Sequence, residues 1–178
     1  MLEQKILVVV DYQNDFVSGS LSIPDAAEIE NAVVKRIEAA YADGDRVIFL
    51  KDTHSNTYLK TLEGKNLPVK HCIAKTEGHM LYGKVKDLEG RNGSITIEKA
   101  QFGTLDIPNR LKIAQIVPKE FALIGVALDI CVISNALILK SQFREVPVKI
   151  YKDGCAATSP AAEKATYAVA ASCHISVE

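Results

Sequence analysis

The chain has 178 residues, 48% of them hydrophobic and 24% charged, with a formal net charge of −1. This length and composition allow one sizeable core, so we expect a single globular domain over residues 1–178. The balanced charge, with no Lys and Arg cluster among aromatics, argues against a nucleic-acid partner, and no apolar run is long enough to cross a membrane.

The chain opens with a predicted strand and a predicted helix. Lys5-Ile-Leu-Val-Val-Val10 is rich in β-branched residues, which is typical of a parallel strand buried on both faces, and Asp11 follows it directly. Over residues 24–44 apolar side chains recur every four positions, which predicts a helix with Asp25 and Glu28 as a capping box. A polar residue therefore stands at the carboxyl end of the first strand.

A second strand is predicted at Arg46-Val-Ile-Phe-Leu-Lys51, and it also leads into an aspartate, Asp52. Residues 52–93 then show no clear periodicity, and loops of this length in a compact domain usually carry function or are disordered. Ser94-Ile-Thr-Ile-Glu98 resumes the alternation of a strand and leads into Lys99.

The middle of the chain changes its period at a cysteine. After a modest helix predicted over residues 106–116, the uncharged run Phe121–Val126 predicts a buried strand. Asp129 is then a natural helix N-cap, which places Cys131 in the first helical turn. Unpaired N–H groups and the helix dipole favour a thiolate there, so this cysteine is suited to attack an electrophile.

The last part of the chain repeats the alternation. A strand is predicted at Val146–Tyr151, a helix from Ser159 to Ala171, and a final strand at residues 174–177. Strands that alternate with helices in this way predict an α/β fold, a three-layer α/β/α sandwich around a mostly parallel six-stranded sheet.

Four reactive side chains follow strand ends, and parallel strands bring such ends to one edge of the sheet. A carboxylate can accept the thiol proton, an ammonium can balance the charge, and the helix terminus can stabilise the thiolate. Two plainer interpretations stay open, because strand ends are often polar and a buried cysteine can act as a small hydrophobe. The four residues are Asp11, Asp52, Lys99 and Cys131.

Five ordered motifs carry a resemblance to a known family. They are Asp11-Tyr-Gln-Asn-Asp-Phe16, Asp52-Thr-His54, Pro68-Val-Lys-His-Cys72, Lys99 with Phe102-Gly103, and Gly125-Val-Ala-Leu-Asp-Ile-Cys-Val132. In order and spacing they closely resemble the isochorismatase-like hydrolases and, within them, the nicotinamidases. The resemblance runs from Lys5 to about Asp153, which is most of the chain.

The resemblance implies a catalytic triad of Asp11, Lys99 and Cys131. It also implies a cis peptide between Val126 and Ala127, which in such families directs the N–H groups of Ala127 and Cys131 into an oxyanion hole. True isochorismatases cleave a vinyl ether and need no cysteine at this position. The cysteine therefore favours an amidase.

One carboxylate and two imidazoles, from Asp52, His54 and His71, form a sound ligand set for Zn²⁺, Fe²⁺ or Mn²⁺, although their spacing alone is a weak pattern. The resemblance implies a metal ion here that binds a pyridine nitrogen, with zinc as the expected ion and iron or manganese as the alternatives. The chain departs from some nicotinamidases at Pro68, where they carry a ring-stacking tryptophan, and it contains no Trp. Phe16 is expected to supply one face of the substrate site.

The expected function is hydrolysis of a small carboxamide, with nicotinamide to nicotinate and ammonia through a thioester on Cys131 as the leading reaction, in NAD metabolism. Another small amide or an N-carbamoyl compound is the alternative within the family, and a non-catalytic binding or interaction subunit is the alternative outside it. Residues 1–5 show no signal-sequence pattern, so we expect a cytoplasmic protein with free thiols, and a homo-oligomer stays open.

Overall fold

The computed structural model describes residues 1–178 and contains a six-stranded sheet in which every pair of neighbouring strands is parallel. The strand order across the sheet is β3-β2-β1-β4-β5-β6. The strands are β1 (Leu2–Val10), β2 (Arg46–Asp52), β3 (Ile95–Lys99), β4 (Ile116–Gly125), β5 (Val148–Cys155) and β6 (Ser176–Val177). The α-helices are α1 (Asn14–Val17), α2 (Glu30–Ala42), α3 (Leu62–Asn66), α4 (Ile107–Ile113), α5 (Ile133–Gln142) and α6 (Pro160–Ser172).

The strand β1 lies inside the sheet and divides its side chains between two cores. Ile6, Val8 and Val10 belong to the core on one face, and Leu7 and Val9 belong to the core on the other. Successive side chains of a strand point to opposite faces, so a continuous apolar run fits a strand that is covered on both sides. This is the arrangement that the sequence predicts for the first strand.

The two faces are covered differently. Helices α4, α5 and α6 pack on one face, through residues such as Leu111, Leu139 and Ala170. Helix α2 packs on the other face together with an irregular stretch that contains Leu81 and Val85. The three-layer α/β/α prediction is thus confirmed, and the sheet is entirely parallel. The second outer layer is helical only in part.

Two boundary predictions are wrong for local reasons. Helix α2 begins at Glu30 and not near Asp25, because Asp25 has a φ of 59°, which is outside the helical region, and its capping box does not form. The side chain of Glu30 instead accepts a hydrogen bond from the N–H of Lys84.

Helix α4 ends at Ile113, since Ile116 already belongs to the long strand β4. Ser159 does cap α6, by accepting a hydrogen bond from the N–H of Ala162.

A glycine sets the close approach of β1 and β4 at the edge where the polar residues lie. Gly125 has a φ of 120°, and a Cβ at this position would collide with the backbone carbonyl of Val10. Only glycine fits such a place without displacement of the chain. The end of β1 and the turn after β4 therefore lie side by side. None of the helices combines the length and the hydrophobicity that a membrane crossing requires.

Candidate active site

Three predicted residues meet at the carboxyl edge of the sheet. Asp11 follows β1, Lys99 is the last residue of β3, and Cys131 lies in the turn after β4. The Nζ atom of Lys99 is 2.6 Å from Oδ2 of Asp11 and 3.8 Å from Sγ of Cys131. All three residues are at least 93% buried, so the ion pair and the thiol are largely shielded from solvent. The chain thus brings a carboxylate, an ammonium and a thiol into contact.

The charges in this cluster shift one another's proton affinities. Burial raises the pKa of Asp11 to about 6, and the negative charge of Asp52 adds to the rise, while Lys99 opposes it. Burial would lower the pKa of Lys99, but Asp11, Cys131 and Asp52 hold it above its usual value. Both partners of the ion pair are therefore charged at neutral pH, with Asp11 close enough to its pKa to exchange a proton.

The cysteine differs from its sequence-based prediction. Burial and the adjacent Asp11 raise the pKa of the Cys131 thiol well above its usual value, and Lys99 only partly offsets them. The predicted thiolate is therefore not favoured at rest, because loss of hydration and the facing carboxylate of Asp11 both oppose ionisation of the sulfur. The resting side chain is a thiol, and it needs a base before it can attack.

The turn that carries the cysteine is a π-helical turn, Leu128–Val132, which continues into α5. The peptide bond between Val126 and Ala127 is cis, as the resemblance implies. The prediction of Asp129 as a helix N-cap is wrong, because its carboxylate accepts hydrogen bonds from the N–H and the hydroxyl of Thr158, at 2.8 and 2.5 Å. Asp129 therefore connects this turn to the loop after β5 through two hydrogen bonds.

The three predicted metal ligands also meet. The candidate ligand atoms of Asp52, His54 and His71 lie within 4.8 Å of one another, and all three residues are buried. Oδ2 of Asp52 is 2.8 Å from Nε2 of His54 and 3.4 Å from Nε2 of His71. Burial opposes ionisation of Asp52, but the two adjacent histidine rings and the charge of Lys99 hold its pKa below the usual value. One carboxylate and two imidazoles thus converge.

The donor atoms fit a divalent metal ion. Although Nε2 of His54 lies 2.8 Å from Oδ2 of Asp52, the two atoms do not form a hydrogen bond, and Nε2 is buried without a partner. Proteins avoid this arrangement unless another group satisfies the atom. Nδ1 of His71 lies 2.8 Å from the carbonyl oxygen of Val69, and donation of its proton to that oxygen leaves Nε2 free to bind a metal. A carboxylate with two imidazoles is a ligand set that suits zinc or iron.

Glu63, which no sequence motif indicates, also lies beside this cluster. Its Oε1 is 3.8 Å from Nε2 of both His54 and His71. Glu63 belongs to α3, and Thr61 caps that helix by accepting a hydrogen bond from the N–H of Gly64. The Thr-Leu-Glu-Gly sequence could have indicated a helix start inside the stretch that shows no periodicity.

A cavity of about 260 Å³ connects the two clusters. Cys131 and Ala127 line it, and so do Asp52 and His71. Leu67 lines the cavity beside Pro68, so an aliphatic side chain lies near the predicted position of the missing tryptophan. Most of the remaining wall is apolar, with side chains of Phe16, Leu21, Ile23, Phe102 and Ile130.

Five of the predicted residues line this pocket, whereas three do not; the five are Phe16, Asp52, His71, Ala127 and Cys131, and the three are Asp11, His54 and Lys99. Phe16, the predicted ring-binding residue, is buried and its ring centroid is 5.4 Å from that of His71. The N–H of Ala127, one of the two predicted oxyanion donors, has no backbone acceptor within the protein. The arrangement can hold a small, flat, mostly apolar molecule between a thiol and a metal-binding cluster.

The chain is similar to known proteins in both sequence and fold. Residues 5–177 match the family model described as the isochorismatase domain. A nicotinamidase of Saccharomyces cerevisiae is 29% identical over 47% of this chain and 50% of its own length, so the match spans about half of that relative.

Two solved structures are similar over nearly their whole length. The crystal structure of a nicotinamidase from Bacillus subtilis has a TM-score of 0.84 and 27% identity, with 98% of each chain covered. That of a pyrazinamidase from Pyrococcus horikoshii in complex with zinc has a TM-score of 0.85 and 24% identity, again with 98% of each chain covered, and at that identity it supports the fold alone. With nearly all of its residues matched by the family model, the chain belongs to the isochorismatase domain family.

Proposed function

We propose that the protein is a cysteine amidase that hydrolyses a small aromatic carboxamide, with nicotinamide as the leading substrate and nicotinate and ammonia as products. The observation that carries the proposal is the contact of Lys99 with both Asp11 and Cys131, of which Cys131 lines an apolar pocket. A buried acid, a buried base and a thiol in contact cost folding free energy, and such sets are concentrated at catalytic sites.

In the proposed reaction Asp11 first takes the thiol proton of Cys131, and Lys99 stabilises the negative charge that forms on sulfur. The thiolate attacks the amide carbonyl carbon, and the carbonyl oxygen gains the negative charge. The N–H groups of Ala127 and Cys131 are proposed to donate to this oxygen. A pKa of about 6 for Asp11 suits both the acceptance and the return of a proton near neutral pH.

The carbon–nitrogen bond then breaks. Asp11 returns its proton to the departing nitrogen, which leaves as ammonia, and the acyl group remains on Cys131 as a thioester. Asp11, ionised again, removes a proton from a water molecule that attacks the thioester. The product acid leaves, and the thiolate takes back the proton from Asp11.

The metal ligands and the pocket walls account for substrate orientation in this proposal. Asp52, His54 and His71 would hold a divalent ion, with Glu63 close enough to be a further ligand. When bound, the ion supplies an open coordination position for a ring nitrogen. Phe16 is proposed to lie against the ring, and a bound ring then presents its carboxamide to Cys131.

The nicotinamidase relatives from S. cerevisiae and B. subtilis support nicotinamide as the substrate. The test is ammonia release from nicotinamide, pyrazinamide and a set of N-carbamoyl compounds, with Cys131→Ala as the inactive control. Turnover of nicotinamide that Cys131→Ala lacks would support the proposal. Turnover of carbamoyl compounds alone would show that the substrate is an N-carbamoyl compound and not nicotinamide. The absence of turnover with every amide would support a binding role.

A further inference from the structure

A buried glutamine between the two clusters has no role in the reaction described so far. Gln13 is completely buried and lies two residues after Asp11. Its Oε1 accepts a hydrogen bond from the backbone N–H of Asp52 at 2.8 Å, and its Nε2 donates to the backbone carbonyl of Asp52 at 2.9 Å. Nε2 also donates to the carbonyl of His79 at 2.9 Å, so the carboxamide forms three hydrogen bonds.

The strand β1 explains why Asp52 needs these bonds. Its pairing with β2 ends at Val10 and Leu50, and the last backbone bond runs from the N–H of Asp11 to the carbonyl of Leu50. Asp11 has a φ of 49°, so the chain turns out of the sheet at that point. Backbone groups two residues apart on a strand point the same way, so the N–H and carbonyl of Asp52 face the gap that β1 leaves.

The Gln13 carboxamide fills this gap because it presents a donor and an acceptor with the spacing of a peptide group. Without it, two buried backbone groups of a proposed metal ligand would be unpaired, which would favour displacement of the strand end or entry of water. A shift of the backbone at Asp52 would carry its carboxylate away from Nε2 of His54, which lies 2.8 Å away.

We propose that Gln13 is a positioning residue for the metal site: its carboxamide replaces the missing strand partner of Asp52 and holds the Asp52 carboxylate toward the two histidines. The inference rests on the proposed metal site. Loss of partners that orient metal ligands typically costs about 10- to 100-fold in metal affinity. The expected effect is therefore on metal affinity, beyond any effect on stability.

The test uses two variants of Gln13 that keep its shape. Gln13→Met removes all three hydrogen bonds, and Gln13→Glu keeps an acceptor for the N–H of Asp52 but removes both donors. The dissociation constant for Zn²⁺ is measured on metal-free protein by competition with a chromophoric chelator. The thermal midpoint of the same metal-free samples reports stability separately.

Asn135 provides the matched control. It is also completely buried and also forms three hydrogen bonds through its amide, to the backbone of Phe102, Thr104 and Cys131, away from the histidines. Asn135→Leu therefore removes the same number of buried bonds as Gln13→Met. Gln4→Met, at a surface glutamine bonded to the carbonyl of Gly44, controls for the substitution itself.

We expect both Gln13 variants to bind Zn²⁺ at least tenfold more weakly than the parent, and both controls to bind within threefold of it. Equal affinities in Gln13→Met and the parent would overturn the inference. So would an equal loss in Asn135→Leu, or failure of both Gln13 variants to fold, since either would make Gln13 a general structural residue. A parent protein that binds no Zn²⁺ would instead refute the proposed metal site.

Discussion

Lys99 links the two halves of the site at the scale of single residues. Its Nζ lies 2.6 Å from Asp11, 3.8 Å from Cys131 and 3.7 Å from Oδ1 of Asp52. One buried cation therefore faces two carboxylates and a thiol. Repulsion between the two carboxylates would favour protonation of one of them, and the positive charge of Lys99 opposes that protonation. The removal of any of these groups is expected to alter the proton affinities of the others.

The proposed nucleophile gives the first prediction. Cys131→Ala should abolish amidase activity and leave the thermal midpoint nearly unchanged, because the change is small and the thiol has no other proposed role. Cys173→Ala, at a half-buried cysteine outside the pocket, is the matched control and should keep full activity. Ammonia release measures both variants. More than a trace of activity in Cys131→Ala would exclude the covalent mechanism.

The proposed base gives a prediction about pH. Asp11 must be ionised to take the thiol proton, and its pKa is raised to about 6, mainly by burial. Below that pH it is neutral, so kcat/KM should fall about tenfold per pH unit as the pH drops below 6. Lys99, with its raised pKa, stays charged over the neutral range and should add no second transition there. A profile from pH 4.5 to 8 that is flat through 6 would contradict the role of Asp11.

At the scale of elements, parallel strands explain how far the sequence could predict the site. Strand ends placed Asp11, Asp52 and Lys99 at one edge, because a buried apolar run followed by a polar residue is a local pattern. The roles of Gln13 and Glu63 could not be predicted in this way. Gln13 contacts Asp52, which is 39 residues away in the sequence, and Glu63 lies in the stretch without periodicity.

The turn after β4 shows why a correct local pattern can still predict the wrong contact. Asp129 has the residue type and position of an N-cap, but Thr158 offers it two hydrogen bonds from a loop 29 residues away. The prediction of a thiolate at Cys131 is wrong for a similar reason. A helix dipole can be predicted from neighbours in sequence, whereas burial and a facing carboxylate come from the tertiary structure.

The metal-binding elements give the third prediction. His54 follows β2, and His71 belongs to a loop held by Asp15, whose carboxylate accepts a hydrogen bond from the N–H of Cys72. His54→Ala should lose the metal ion and raise the KM for nicotinamide, because the ring nitrogen then has no metal ion to bind. Benzamide, which has the same shape without that nitrogen, should change much less.

The readouts for this variant are metal content by elemental analysis and kinetics on both amides. Thr57→Ala, at an exposed residue on the same loop, is the control. If His54→Ala hydrolyses nicotinamide and benzamide in the same ratio as the parent, the metal does not orient the substrate.

At the scale of the whole molecule, the proposed metal would join segments that the sheet leaves apart. Asp52 and His54 flank the end of β2, whereas His71 lies in the irregular stretch before β3. A ligand that binds only the folded state stabilises it by mass action, by about 2.7 kcal/mol at 100 times its dissociation constant.

The fourth prediction follows from this linkage. Added Zn²⁺ should raise the thermal midpoint of metal-free protein, and a chelator should reverse the rise. His54→Ala should show neither change. Differential scanning calorimetry of both proteins measures the effect, and an equal rise in the variant would place the ion elsewhere.

Lys99 ends β3, and β3 is an edge strand that pairs with β2 alone. Edge strands open locally at a lower free energy than strands inside a sheet, so the amide hydrogens of Ile97 and Lys99 should exchange with solvent faster than those of Val8 and Val9 in β1. Mild denaturant should then abolish amidase activity while β1 remains protected from exchange, and a bound substrate analogue should slow exchange in β3. Local opening of β3 would then disrupt the site before the protein unfolds globally, and the rate of this opening would limit how long the enzyme stays active.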